Sequence, residues 1–334
     1  MKTILICSIL SALAVLLLPA ASERPAEQEP VVLLIEQPEQ SAEPEAAAAP
    51  QETGTAEVLL LTADGVQCVE EDAYLTAVVL SEMPASFEPE ALAAQAVAAR
   101  TFLARQRMAG KHQNADICAD SACCQAWTGE TGLREKYGEA YTTYVEKAAA
   151  AVQETEGEIL TYQGMPIEAV YFSCSGGSTE SAVAVWGTDV PYLQAVESPG
   201  EQDALRYESE VIYSEEDLRS ALQSAAPDAD LHGSAADWFG ETVNTEGGGV
   251  ATITIGGVRF SGTELRTLLG LNSTKFTVDC ADRGVVFHVY GFGHRVGMSQ
   301  YGANAMAKLG FDYRTILQYY YRGASIKKAS QAEA

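Results

Sequence analysis

One helical stripe constrains this chain more than any other feature. Tyr74, Leu75, Val78, Val79 and Glu82 stand at i, i+1, i+4, i+5 and i+8, successive steps of three and four along a helix face that packs inward. Pro84 stops the helix two residues later. A helix of this kind must be covered by other elements, and it carries a carboxyl into the covered region. Desolvation disfavours the charged form and raises a carboxyl pKa, and the negative end of the helix dipole acts in the same direction. Such a group suits general acid catalysis near neutral pH. The same position would also suit a glutamate bound to Arg100 or Arg105.

The partner for that stripe follows at once. Glu88–Arg107 is predicted to be a helix, with Pro89 suited to its first turn and many alanines that let a neighbour approach closely. Arg100 lies within it, either at a rim or paired with an acidic group. A further helix is predicted over 135–154, with Tyr141, Tyr144, Val145, Ala148 and Val152 as its stripe. Glu57–Thr62 reads as a strand. Beyond residue 155 the pattern turns to strands: Ile159–Tyr162 and Ile167–Phe172 flank a turn at 163–166, and Thr252–Ile255 and Val258–Phe260 flank Gly256-Gly257. Thr277–Cys280 and Val285–Tyr290 are further predicted strands, and helices are expected at Ser299–Lys308 and Tyr313–Tyr320. Residues 200–240 are acidic and helix-prone, with Pro and Gly breaks. Helices grouped before strands indicate an α+β fold with mixed helices and antiparallel strands. The length of the body leaves room for two lobes around a cleft.

At 334 residues the chain divides by composition. Residues 1–22 hold the apolar run Ile4–Leu18 behind Lys2 and read as an export signal or membrane anchor, with the body outside the cytoplasm. Cys7 lies too near the start of that run for a lipoprotein cleavage site. Residues 23–55 carry eight glutamates against one arginine among prolines and alanines, the composition of a disordered spacer. Val31–Ile35 interrupts it as a short docking strand. Residues 56–326 form the body and 327–334 a disordered tail. The formal net charge of −25 excludes nucleic acid as a natural partner, since phosphates require a basic surface. A neutral polymer or a partner with basic groups fits better.

Three stretches carry the remaining chemistry. His112, Cys118, Cys123 and Cys124 crowd a short segment where two steps of six separate His112, Cys118 and Cys124. Such a set can bend round one tetrahedral Zn²⁺, or in an exported chain form a disulfide from Cys118 to Cys123 or Cys124. Tyr171–Glu180 ends a strand in hydroxyl and glycine residues, whose N–H groups and hydroxyls suit a polar ligand, and Trp186 and Tyr192 add aromatic faces. Gly291–Ala303 is a glycine-spaced loop that opens a helix, yet it lacks the dinucleotide-binding spacing. Cys174 and His294 are also residue types found in cysteine peptidases.

Taken in order, Tyr74–Arg100, Tyr171–Leu193 and Gly293–Gly323 resemble the stage II sporulation protein D family, to which the amidase enhancer is related. The resemblance covers about residues 57–325. It implies a peptidoglycan lytic transglycosylase that cuts glycan strands during engulfment, after a partner amidase, of the stage II sporulation protein P kind, has removed the stem peptides. It further implies Glu82 as catalytic acid and base, and His112, Cys118 and Cys124 as ligands of a structural zinc, with Cys123 outside the ligand set. Arg100, Ser173, Ser175, Gly176, Tyr192, His294, Gln300 and Tyr301 are the expected substrate-binding residues. Cys174 stands where Thr or Ser is expected. The alternative function is a non-catalytic glycan-binding activator of the amidase.

Overall fold

The computed structural model describes residues 56–331. The predicted anchor, spacer and Val31–Ile35 strand lie outside them. Strands β1 (Glu57–Thr62) and β2 (Gly65–Glu70) form an antiparallel hairpin that leads directly into helix α1 (Glu71–Glu82). The Glu70 carboxylate caps α1 by accepting from Ala73 N. Tyr74 through Leu80 are all buried, so α1 is enclosed on nearly every side rather than along one stripe. Helix α2 (Pro89–Ala109) starts on its proline and ends at Gly110 in the left-handed conformation. Its residues 91–103 are continuously buried, because the alanines admit α1 and the elements below on several sides.

A short strand β3 (Ile117–Cys118) pairs in parallel with β1 and ties the cysteine segment to the hairpin. The helix predicted over 135–154 is two helices, α3 (Glu130–Tyr137) and α4 (Tyr141–Glu154), broken at Gly138. α2 packs against α1 and α4 and against strand β4 (Glu158–Tyr162), which turns through Gln163-Gly164 into β5 (Met165–Pro166). Strand β6 (Tyr171–Phe172) follows. The predicted strand 167–172 is regular only at its two residues 171–172.

The later residues build a second packed region. Strands β7 (Gly177–Ser178) and β8 (Glu197–Ser198) bracket the short helix α5 (Ala182–Trp186). In the acidic 200–240 stretch, β9 (Glu208–Tyr213) precedes the expected helix α6 (Glu215–Ala225). Strands β10 (Phe239–Asn244), β11 (Val250–Ile255) and β12 (Val258–Ser261) form one antiparallel sheet. Gly256 and Gly257 both have positive φ, the geometry their two-residue turn demands. After α7 (Gly262–Leu268), strands β13 (Lys275–Ala281) and β14 (Gly284–Tyr290) join β9. Trp238, Ile253, Leu265 and Phe287 centre their shared core.

Strand β15 (Met298–Ser299) then pairs in parallel with β6, setting Ser299 opposite Phe172. Helices α8 (Gln300–Lys308) and α9 (Tyr313–Tyr320) pack back on α2. Residues 325–328 form β16, antiparallel to β4, and a short helical turn reaches Gln331. The body therefore extends past 326: the expected tail supplies an edge strand because β4 would otherwise leave its ladder unpaired. The fold is α+β with helices and small, mainly antiparallel sheets. Among the described residues, no helix is long and apolar enough to cross a membrane.

Candidate active site

Glu82 ends α1 at the wall of a cleft of about 540 Å³ lined by Tyr171, Ser173, Arg266, Phe292, His294 and Gln300, among others. Its Oε1 accepts the backbone N–H of Ala126 at 2.6 Å, and Gln300 Nε2 lies 3.5 Å from Oε2. Burial raises the Glu82 pKa above the ordinary carboxyl value, while the Ala126 N–H, Gln300 and the charge of Lys136 pull the other way. Lys136 and Tyr137 both donate to Leu80 O at 2.8 Å, satisfying a carbonyl at the end of α1. Neither Arg100 nor Arg105 pairs with Glu82. Among the described residues lining the cleft, Glu82 is the sole carboxylate.

The loop that supplies Ala126 also carries the cysteine cluster. Asp120 accepts backbone bonds from Cys123 and Cys124 and, through Oδ1, from Ala122, folding a tight turn. That turn brings His112, Cys118, Cys123 and Cys124 together with one donor atom each, all within 4.8 Å of one another. His112 Nε2 is 3.2 Å from Cys124 Sγ. Burial pushes the Cys124 thiol up to about 12, whereas the neighbouring Cys118 thiol and Lys111 lower Cys123. One imidazole and three sulfurs at this spacing fit a single tetrahedral soft-metal ion, and binding would displace thiol protons. Cys123, set aside by the resemblance, belongs to the group on geometry. The six described cysteines are all free thiols, so neither proposed disulfide is formed.

Behind Glu82 runs a polar chain. Tyr171 OH donates to Gln125 Oε1 at 2.7 Å, and Gln125 Nε2 donates to the Tyr74 oxygen at 2.8 Å. The pairing of β15 with β6 sets Gln300 beside this chain. Sequence reasoning missed Gln125, Ala126 and Lys136. Their only signal was position on the Trp127 side of the cysteines and in the last turn of the next helix.

The predicted substrate residues divide. Ser173, His294 and Gln300 line the cleft with Glu82. His294 lies beside the Phe172 and Trp186 rings, and its Nδ1 accepts from Val296 N at 3.1 Å. Burial and the charge of Arg266 push it down to about 4, so the ring is neutral at physiological pH. Tyr301 packs edge-on against Phe87 and lines a neighbouring hollow of about 200 Å³ instead.

Four expectations are corrected. Arg100 is buried away from the cleft, donating to Val152 O at 3.1 Å and Thr155 O at 2.8 Å, because the end of α4 leaves carbonyls that need donors. Ser175 is fully buried and donates through N and Oγ to Glu201. Gly176 serves packing: a Cβ there would fall 2.8 Å from the Tyr290 backbone, and its φ is +69°. The Tyr192 hydroxyl accepts from Glu168 N at 3.1 Å, outside the cleft lining. The cysteine-peptidase pair fails as well: Cys174 Sγ donates to Arg206 O, its thiol is pushed up to about 12 by burial, and it makes no bond to His294.

Arg266, on α7, was not anticipated. It is half-buried at the cleft and has no hydrogen-bond or ion-pair partner among the described residues. Burial lowers its pKa from the ordinary guanidinium value.

A shielded carboxyl at a cleft, with a thiol–imidazole cluster in the adjoining wall, defines this as an α+β cleft protein with one acid–base group in reach of a ligand. The family model described as "Stage II sporulation protein" matches residues 62–162. The chain is 39% identical over 268 residues to stage II sporulation protein D of Bacillus subtilis, covering 79% of this chain and 76% of that one. It is 37% identical over 267 residues to the protein of the same name in Bacillus amyloliquefaciens, with the same coverage. Against the amidase enhancer of Bacillus subtilis it is 29% identical over 301 residues, 75% of this chain and 40% of the relative. The chain belongs to the stage II sporulation protein D family.

Proposed function

We propose that this chain is a lytic transglycosylase acting on peptide-stripped peptidoglycan strands during sporulation. The observation that carries the reading is the solitary, burial-raised carboxyl of Glu82 in the cleft. A glycoside hydrolase ordinarily needs two carboxyl groups, one as acid and one as base or nucleophile. Intramolecular cleavage needs one. Protonated Glu82 gives its proton to the glycosidic oxygen as the bond from that oxygen to C1 breaks. The carboxylate then accepts the proton of the sugar's own C6 hydroxyl, whose oxygen bonds C1 and closes a 1,6-anhydro ring without water. Ala126 N–H and Gln300 hold the carboxyl and stabilise its anionic stage.

His112, Cys118, Cys123 and Cys124 would hold a zinc ion, which supplies a cross-link rather than acid–base chemistry. The segment so clamped would hold Ala126 N–H against Glu82. Residues 1–22 are read as the export signal or anchor and 23–55 as a tether, setting the body beside the wall, where a partner amidase prepares the strands.

Incubating the purified protein with peptide-stripped strands and weighing the products tests this. Anhydro ends that disappear in Glu82→Gln are expected; ordinary reducing ends, or full activity in that variant, would sink it. A second reading, a non-catalytic activator of an amidase, draws on the name of the amidase-enhancer relative. It requires that Glu82→Gln leave amidase stimulation intact and that no anhydro ends form.

A further inference from the structure

The cleft holds one cation without a counter-ion. Arg266 projects from α7 into the lining shared with Glu82 and His294, and among the described residues it has no carboxylate, carbonyl or hydroxyl partner. Other arginines set in the body are engaged: Arg100 on carbonyls, and Arg295 on Glu180, Ser175 O, Ser178 O and Gly247 O. A half-buried guanidinium left without a partner costs desolvation that nothing in the free protein offsets. Its neighbours do not compensate it. His294 is neutral, and Glu82 makes no ion pair or hydrogen bond with Arg266. In a chain of net charge −25, Arg266 is the sole arginine or lysine among the described residues lining the cleft.

We propose that Arg266 is the specificity residue of this cleft, binding a free carboxylate on the glycan. The inference rests on the glycan-cleaving reading. In peptidoglycan every second sugar bears a lactyl carboxyl. While a stem peptide is attached, that carboxyl is an uncharged amide; after the amide is hydrolysed it is an anion that a guanidinium fork can grip with two parallel hydrogen bonds. Arg266 therefore distinguishes stripped from unstripped strands by charge.

The test uses full-length Glu82→Gln protein, so that binding is read without turnover, and calorimetry with two probes. One probe is peptide-stripped oligosaccharide with free lactyl carboxylates; the other is the same oligosaccharide with those groups converted to methyl esters. The acid form is expected to bind roughly ten- to hundredfold more tightly, the range for a hydrogen bond to a charged group. Adding Arg266→Gln should remove that preference, and Arg266→Lys should keep part of it. Neither change at Arg266 should lower the thermal melt, since its guanidinium makes no hydrogen bond or ion pair among the described residues and its desolvation is uncompensated. Equal affinity for acid and ester, or a preference that survives Arg266→Gln, would overturn the assignment. Carboxylate-selective binding in a protein that makes no anhydro ends would leave Arg266's role standing while removing the lyase reading.

Discussion

Glu82 and Glu201 are both carboxyls that burial pushes above the ordinary range, yet the structure uses them in opposite ways. Glu201 is 1% exposed, and its oxygens accept from Ser175 N at 2.5 Å, Ser175 Oγ at 2.9 Å and Ser198 Oγ at 2.5 Å. Ser198 in turn meets the Tyr320 hydroxyl at 2.6 Å, so the group joins the 173–178 loop to α9. Glu82 has one close donor, Ala126 N, one distant one, Gln300, and open space in front. A raised pKa is therefore shared by scaffold and tool. Free valence facing a cleft is what separates them.

The largest expected effect tests that separation directly. Glu82→Gln should cut release of anhydro products by about 10²–10⁴-fold, the usual worth of a general acid, with circular dichroism unchanged. Glu201→Leu should do the reverse. It strands a backbone N–H and two hydroxyls, and should cost about 3 kcal/mol in denaturant unfolding while leaving the catalytic rate of the folded fraction near normal. Should Glu201→Leu keep its stability and lose turnover, the two groups have been assigned the wrong way round.

A smaller effect is expected at the cysteine cluster, which on the proposed reading would act on Glu82 through the loop that carries Ala126. Metal analysis of protein purified without added zinc should give about one ion per chain, lost in Cys118→Ser. Ala126 N–H would be misplaced rather than removed, so activity should fall by on the order of tenfold, well short of the Glu82→Gln loss. A metal content near zero in the parent protein would remove the cluster from the account of how Glu82 is held.

Much of the Glu82 side of this comparison was legible in the sequence. Helical spacing put the carboxyl on α1, Pro89 and the alanines marked α2, and paired glycines marked the β11–β12 turn. Those signals are local, and the physics behind them acts within a few residues. The Glu201 side was hidden because its partners come from Ser175, Ser198 and Tyr320, brought together only by the tertiary fold. Ser175 thus read as a ligand-binding hydroxyl when it serves the scaffold. Arg100 misled for the same reason: nothing in its own helix announces the carbonyls at the end of α4. Arg266 was missed because an arginine on a short helix is ordinary until its lack of a partner is visible.

The smallest effect concerns pH and discriminates between the two carboxyls by sign. A carboxyl whose folded pKa lies above its unfolded value, about 4.3 for Glu, binds protons more tightly in the native state, so stability falls as pH rises between the two values. Below the unfolded pKa both states are protonated and nothing is lost; above the folded pKa the full penalty applies. Glutamine cannot ionise and escapes it. Glu82→Gln should therefore melt a few degrees above the parent protein at pH 8, with the gain vanishing near pH 4. Glu201 carries a penalty of the same sign, but its donors are satisfied by the carboxylate, so Glu201→Gln loses hydrogen bonds and should melt lower at both pH values. Under the proposed mechanism the same titration would set the activity: the acid form of Glu82 is depleted as pH rises through its raised pKa, and the rate should fall along that limb. If Glu82→Gln melted no higher than its parent at pH 8, Glu82 would not be held above the ordinary carboxyl range, and it would have no more claim to the acid role than Glu201.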